Sequence, residues 1–411
     1  MPQTTPPAGP TRAIPVRTLL TLALLSAIAP LATDMYLPGL PQVGVDLAAD
    51  DALVQLTLMT FMLGLAAGQL AIGPLSDGLG RRRPLLAGTV LLAAAGLACA
   101  LAPSITVLVV ARFLQGFTGG IGVVLARAVI ADRTSGDRAA RLFSIMMIIT
   151  GVAPVVAPLV GGALVGPIGW RGVFYVLTGL AVLMLLCAWR FVPESLPTAR
   201  RHPVEPRAVG RSIGAVLTTR VYLGYAATFA AAFGALFGYI SASPFILQDI
   251  MGYSPGVFSL LFALNAVGLT GANAVNSRLI GRFRPHTLLS LGVWSLVAVS
   301  ATMLAVVLAD FDARWPLLAV MFLLTCSIGF IFGNATGLAL DAVRTRAGTG
   351  SAVLGALQFT VGAVAAPVVG LGGGATAMPM AITVAVSACC SAAAFSTTVS
   401  RRGRRRALTR G

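Results

Sequence analysis

Apolar runs of about 20 residues recur along the whole chain, each long enough to cross the roughly 30 Å hydrocarbon core of a bilayer as a helix. Twelve are found, at 18–39, 53–75, 84–102, 104–131, 139–165, 170–192, 215–241, 254–276, 286–309, 315–341, 347–371 and 376–399. Those at 104–131, 139–165 and 315–341 exceed the span length and are expected to tilt or protrude. With 57% hydrophobic and 10% charged residues over 411 positions, the chain carries more apolar surface than one soluble core can hide. The expected fold is all-α: a polytopic membrane protein with twelve transmembrane helices and the lipid bilayer as its solvent.

The net charge of +16 does not mark a nucleic-acid binder, because of where the charges lie. All 29 basic residues are arginine, and 25 of them fall in the two tails and in alternate loops. Only Arg171 and Arg314 fall in the opposite loops, while Arg112 and Arg127 lie inside the fourth span. The positive-inside rule then makes both termini and the central linker cytoplasmic, in a cell inner membrane. Residues 1–17 form a polar, Pro-rich tail without the short apolar segment of a signal peptide, so the first span is expected to stay. Cys99, Cys187, Cys326, Cys389 and Cys390 sit in apolar stretches without ligand spacing and read as packing residues. Neither a metal nor a cofactor is implied.

VPESLPTARRHPVEPRAVGR, residues 192–211, is polar and Pro-rich and divides the chain in two. The organisation read from it is a tail at 1–17, a six-helix bundle at 18–192, a linker at 193–214, a second six-helix bundle at 215–399 and a basic tail at 400–411. GRRRPLL at 80–86 follows the second span and GRFRPHTLL at 281–289 follows the eighth, an offset of 201 residues. Two pseudo-symmetric bundles with a substrate between them at mid-membrane is the physical logic of alternating access.

Between the second and third spans stands GQLAIGPLSDGLGRRRPLL, residues 68–86. It resembles the loop 2–3 signature of the major facilitator superfamily through Gly73, Pro74, Asp77, Gly80, Arg81 and Arg82. Glycines there permit a tight turn and close helix approach. Asp77 and Arg81 are expected to form charge pairs at the helix ends, with Asp132 as a further partner, latching the halves in the outward-facing state. In ARFLQGFTGGIGVVLARAVIADR, residues 111–133, Arg112, Gln115 and Gly116 resemble the R-x-x-Q-G motif of the same family. GVAPVVAPLVGG, residues 151–162, resembles the antiporter motif of its drug exporters through Gly151, Pro154, Pro158, Gly161 and Gly162, with Ala157 where the longer form has Gly. Its prolines kink the helix, and its small residues allow tight packing against the other half. Together with DMYLP, Asp34 to Pro38, these stretches resemble Bcr/CflA-type drug:proton antiporters, which include chloramphenicol and florfenicol exporters. The resemblance implies multidrug efflux and antibiotic resistance, and it is clearest over the first six spans.

A carboxylate inside a span costs at least about 2.5–3.5 kcal/mol, so Asp34 needs a reason. It lies about 8 Å below the outer end of the first span, and Arg112 about 12 Å below the outer end of the fourth. At such similar depths the two could pair or sense each other through water. Both histidines, His202 and His286, belong to cytoplasmic segments, which leaves Asp34 as the proton carrier and Arg112 as its modulator. Ser26 stands where some related exporters have a second carboxylate, so exchange of one proton for a neutral or zwitterionic drug is expected. Tyr36, Gln115, Phe233, Phe237, Asn265, Asn334 and Gln358 combine flat apolar surface with scattered hydrogen-bonding groups, as a tolerant pocket requires. The partners implied are protons and a small lipophilic drug or metabolite, handled by a monomer.

Other classes fit less well. An importer of one polar solute needs more buried polar groups than these spans offer, and a membrane receptor needs an extramembrane signalling domain. An enzyme needs a nucleophile set, an H-E-x-x-H or a pair of membrane carboxylates, and no Walker A stretch is present for ATP.

Overall fold

The computed structural model describes residues 14–134, 136–198, 201, 206–309, 314–370 and 376–408. The first thirteen residues of the tail, most of the linker between Thr198 and Pro206 including His202, and the last three residues lie outside them. Among the described residues there is no β-strand, and the chain forms thirteen α-helices. In the first half these are α1 (Val16–Asp34), α2 (Leu40–Asp46), α3 (Asp51–Leu79), α4 (Arg82–Ala100), α5 (Ile105–Arg133) and α6 (Gly136–Phe191). The linker contributes α7 (Pro206–Leu217). The second half holds α8 (Arg220–Pro244), α9 (Pro255–Leu279), α10 (Pro285–Leu308), α11 (Arg314–Ala342), α12 (Ala347–Gly370) and α13 (Met378–Leu408).

Among the described residues, eleven continuous helical stretches are long and apolar enough to cross a membrane, the longest being the 51 residues of Arg141–Phe191. At 1.5 Å per residue that stretch would measure about 76 Å, more than two bilayer cores. It folds back at Gly169, whose φ of 66° and ψ of 178° no helix contains, so α6 crosses twice and the passes number twelve. The left-handed φ suits a residue without Cβ.

In the first half α3 packs on α5, α4 on α5 and α6, and α1 on α5 and α6. In the second, α8 packs on α11, α12 and α13, α9 on α11, and α10 on α11 and α13. The α3–α5 contact is backbone-close: a Cβ on Gly64 would stand 2.2 Å from the Phe113 carbonyl oxygen, and one on Gly116 2.0 Å from that of Phe61. Small residues four apart on both helices permit that approach, which brings Phe61 beneath Arg112. The halves meet where α3 packs on α12 and α6 on α9.

Candidate functional site

The first span breaks where the sequence carries DMYLPGLP. Pro38 lacks the N–H that would have bonded the Asp34 carbonyl, and α1 ends at Asp34. A short 3-10 turn, Leu37–Gly39, and α2 carry the helical path on to Asp46. Asp34 therefore caps a broken helix rather than sitting within a continuous one, about 18 Å of helical path from the far end of α2.

A helix ending inside the membrane leaves carbonyls unpaired and a partial negative charge. Arg112 answers both. Its Nη1 donates to the Ala32 carbonyl at 3.1 Å and to Gln115 Oε1 at 2.7 Å. Its guanidinium lies 4.1 Å from the Phe61 ring centre, 4.9 Å from that of Tyr36 and 5.6 Å from that of Phe174. Arg112 is fully buried, and its Nε and Nη2 have no hydrogen-bond partner. Tyr36 is fixed by a 3.1 Å bond to Thr57 Oγ1 and packs against Phe174. Cys99 Sγ lies 3.8 Å from the Gln115 Oε1 that Arg112 also bonds. Phe61, Phe174 and Cys99 were not among the sequence candidates.

Asp34 is 6% exposed, and among the described residues no ion pair or hydrogen bond reaches its carboxylate. It is joined to Arg112 through the α1 backbone two residues earlier, not through an ion pair. In the other half, the Tyr239 hydroxyl of α8 accepts a 2.7 Å bond from Asn265 Nδ2 of α9. The turn that follows Asp34, Leu37–Gly39, packs against α8 and α9 of the other half.

In the second half Phe233 stacks on Phe237 at 5.7 Å and meets Phe332 and Phe359 at 6.1 and 6.0 Å, with Phe229 beyond Phe332. Phe229, Phe332 and Phe359 extend the two sequence candidates into an aromatic wall of α8, α11 and α12. Gln358, half-buried, precedes Phe359 on α12. Asn334 stands apart from this group: its Nδ2 donates to Asn276 Oδ1 at 2.7 Å, tying α11 to α9.

The 151–162 stretch lies where the halves touch. A Cβ on Gly161 would stand 2.2 Å from the Met35 carbonyl oxygen at the α1 break, and one on Gly162 2.1 Å from Ser259 Oγ of α9. Pro158 and Pro154 interrupt the α6 ladder one and two turns earlier, and Gly151 faces open space. Nearby, Gln248 Nε2 donates to the Pro38 carbonyl at 3.2 Å, and Gly370 closes on Ala52. These contacts between the halves lie toward the arginine-poor ends of the spans.

At the arginine-rich ends, α3 stops at Gly80, whose φ is 87°. Arg81 then reaches Asp77 at 2.6 Å, Asp132 at 3.0 Å and Ser76 Oγ at 2.6 Å. Glu194, in the segment after α6, was not singled out by sequence. Its carboxylate accepts the N–H groups of Arg81 at 2.9 Å and Arg82 at 3.3 Å, and of Ser195 and Leu196, both at 3.0 Å. Burial raises the Glu194 pKa, but the N–H bonds and Arg201 at 3.6 Å more than offset it and hold the carboxyl below its usual range. Ser195 Oγ adds a 2.8 Å bond to Asp132. Gly73 touches nothing that a Cβ would meet. Every bond of this cluster stays inside the first half and the linker it begins.

Residues 22–367 match the family model described as Major Facilitator Superfamily. The uncharacterized MFS-type transporter YdgK of Bacillus subtilis is 38% identical over 91% of this chain and 93% of its own. A bicyclomycin resistance protein homolog of Haemophilus influenzae is 29% identical over 92% and 94%, and the multidrug resistance protein MdtL of Klebsiella pneumoniae 30% identical over 83% and 85%. Among solved structures, an inward-facing bacterial homolog of the human lysosomal transporter Spinster superposes with a TM-score of 0.69 at 18% identity, covering 94% of this chain and 96% of that one. A D-xylose-proton symporter gives 0.69 at 15% identity, covering 94% and 97%. At these identities the structural likeness speaks for the fold alone.

Proposed function

The chain belongs to the major facilitator superfamily, a family of membrane transporters, and from that premise we propose that it exports lipophilic drugs in exchange for protons. The observation that carries the reading is Asp34: a buried carboxylate without a partner, at a helix break whose next turn packs on the opposite half. A charge there is costly while ionised and is relieved by a proton. Arg112 balances the break electrostatically without consuming the carboxylate in an ion pair. Drug efflux is supported by the printed names of the multidrug and bicyclomycin resistance relatives. The aromatic wall around Phe233 and Phe237 supplies a flat apolar surface for a lipophilic substrate.

The contacts Gln248–Pro38, Gly162–Ser259 and Gly370–Ala52 describe a state closed toward the arginine-poor side. Under the positive-inside rule that side is external, both termini are cytoplasmic in the inner membrane, and this state receives drug from within. The Arg81–Asp77–Asp132 cluster acts as a latch on the reverse stroke, when the arginine-rich ends approach. One proton brings about 1.4 kcal/mol per pH unit and about 2.3 kcal/mol per 100 mV, enough for a tens-fold or larger drug gradient.

The test is transport by the purified protein in proteoliposomes holding a pH dye, with chloramphenicol and a panel of lipophilic drugs, for wild type and Asp34→Asn. Drug-evoked proton movement in the wild type and none in the variant supports antiport through Asp34. Coupled movement that survives in Asp34→Asn removes Asp34 from the mechanism. A folded wild type that moves neither drug nor proton defeats the export reading.

A further inference from the structure

Transport does not account for a cavity at the arginine-rich ends of the first half. It measures about 260 Å³ and lies between the starts of α1 and α4 and the ends of α5 and α6. With water occupying about 30 Å³, it has room for a phosphate and a glycerol unit. Arg17, Arg82, Arg133 and Arg190 line it, and no acidic residue does. The nearest carboxylates are spent elsewhere: Asp132 on Arg81 and Ser195, and Glu194 on four N–H groups and Arg201.

Three of the four arginines have contacts that place them, although Arg17 and Arg190 remain exposed. Arg82 Nη2 donates to the Trp189 carbonyl at 2.9 Å, while its Nε is buried with no hydrogen-bond partner. Arg17 and Arg190 flank the Phe191 ring, at 5.4 and 5.7 Å from its centre. Thr18 Oγ1 donates to the Phe191 carbonyl at 2.8 Å and fixes that segment to α1. A topology signal needs basic residues on one side of the membrane, but it does not require four of them to converge on one cavity with a buried donor left over.

We infer that this cavity binds the phosphate of an anionic phospholipid from the adjoining leaflet. Guanidinium forks match phosphate oxygens in geometry and charge. The lipid, rather than a soluble phosphate, is argued from what adjoins the cavity. Trp189 is 62% exposed at the headgroup level where such rings anchor, and Leu186 and Leu183 continue an exposed apolar face down α6 for the acyl chains. A soluble anion would have no use for that face. The assignment does not depend on which side of the membrane the arginines occupy, nor on the drug-export reading.

The experiment is native mass spectrometry of the full chain titrated with phosphatidylglycerol and, separately, phosphatidylcholine, with free glycerol phosphate as competitor. The Arg17→Gln/Arg133→Gln variant is compared with Arg278→Gln/Arg282→Gln, which removes two exposed arginines on the arginine-rich face of the second half. At about fivefold per arginine near the surface, the first pair loses phosphatidylglycerol affinity about 25-fold and the second less than twofold. Arg17→Lys/Arg133→Lys keeps the charge, so its retention of most binding separates lost charge from lost folding. Equal loss in both Gln pairs, or no preference for phosphatidylglycerol over phosphatidylcholine, overturns the inference. Displacement by glycerol phosphate at concentrations matching the lipid assigns the site to a soluble anion and overturns it as well.

Discussion

Replacing Arg112 by Met separates a packing role from a functional one, because the stability terms nearly cancel. The guanidinium's charge-assisted bonds to the Ala32 carbonyl and Gln115 are each worth about 1.5–3 kcal/mol, and its place among three rings about 2 kcal/mol more. Against this stand the desolvation of a fully buried cation, several kcal/mol, and two buried donors without partners at about 1–3 kcal/mol each. Methionine fills much of the same volume with no polar atom to satisfy. The net change should lie within about 2 kcal/mol of zero. With an unfolding entropy of about 2.1 cal/mol/K per residue, that moves the Tm of a chain this long by about 2–3 °C. Thermal unfolding of the purified variant measures the shift, and the pH-dye assay measures exchange, which should fall more than about tenfold if Arg112 modulates Asp34. A Tm loss several times larger would show that Arg112 mainly holds α1 to α5. A stable variant with undiminished exchange would remove it from coupling.

Two further outcomes follow from distances across the molecule. A Cβ on Gly370 would stand 2.7 Å from the Ala52 Cα, closer than side chains pack, so Gly370→Leu should hold the arginine-poor ends of α3 and α12 apart. Transport in the proteoliposome assay should fall while thermal unfolding of the purified variant changes little; undiminished transport would deny that the arginine-poor side must close. The Glu194 carboxyl, held below its usual range, contributes stability above its unfolded value of about 4.3 and loses it only as pH falls through its lower folded value. Trypsin cleavage in the linker should therefore stay constant in the wild type from about pH 5.5 to 8 and rise in Glu194→Gln at every pH in that window. Wild-type cleavage that climbs between about pH 7 and 6 would contradict this.

The spans were legible because a bilayer demands about 20 apolar residues per pass, a stronger signal than any helical period. Their faces were not, since lipid and protein core both select apolar side chains. That is why Phe233 and Phe237 were found as candidates while Phe332 and Phe359, chemically equal, were passed over. The break after Asp34 was written in Pro38, Gly39 and Pro41, yet hydropathy alone carries a helix through them. Gln115, one of Arg112's partners, stands in the same motif, but the other could not be read from side chains, because it is a backbone carbonyl exposed only once that break exists. Glu194 was hidden by its setting, a Pro-rich stretch that reads as spacer, although its acceptor role depends on N–H groups over a hundred residues away.

The clasp at Glu194 has a mechanical corollary. The polypeptide joining the halves looks long enough to leave them nearly independent. Yet Arg201 is tied back to Glu194, and Glu194 to the turn between α3 and α4, while α7 begins at Pro206 and packs on α8 and α12. Only the peptide from 201 to 206 is left as leash, and fully extended it spans about 17 Å. While that ion pair holds, the arginine-rich faces cannot part beyond that at this point, so the clasp sets a stop to the stroke. Releasing Glu194 would free about ten further residues of slack, about 34 Å, and turn a hinged pair into a tethered one.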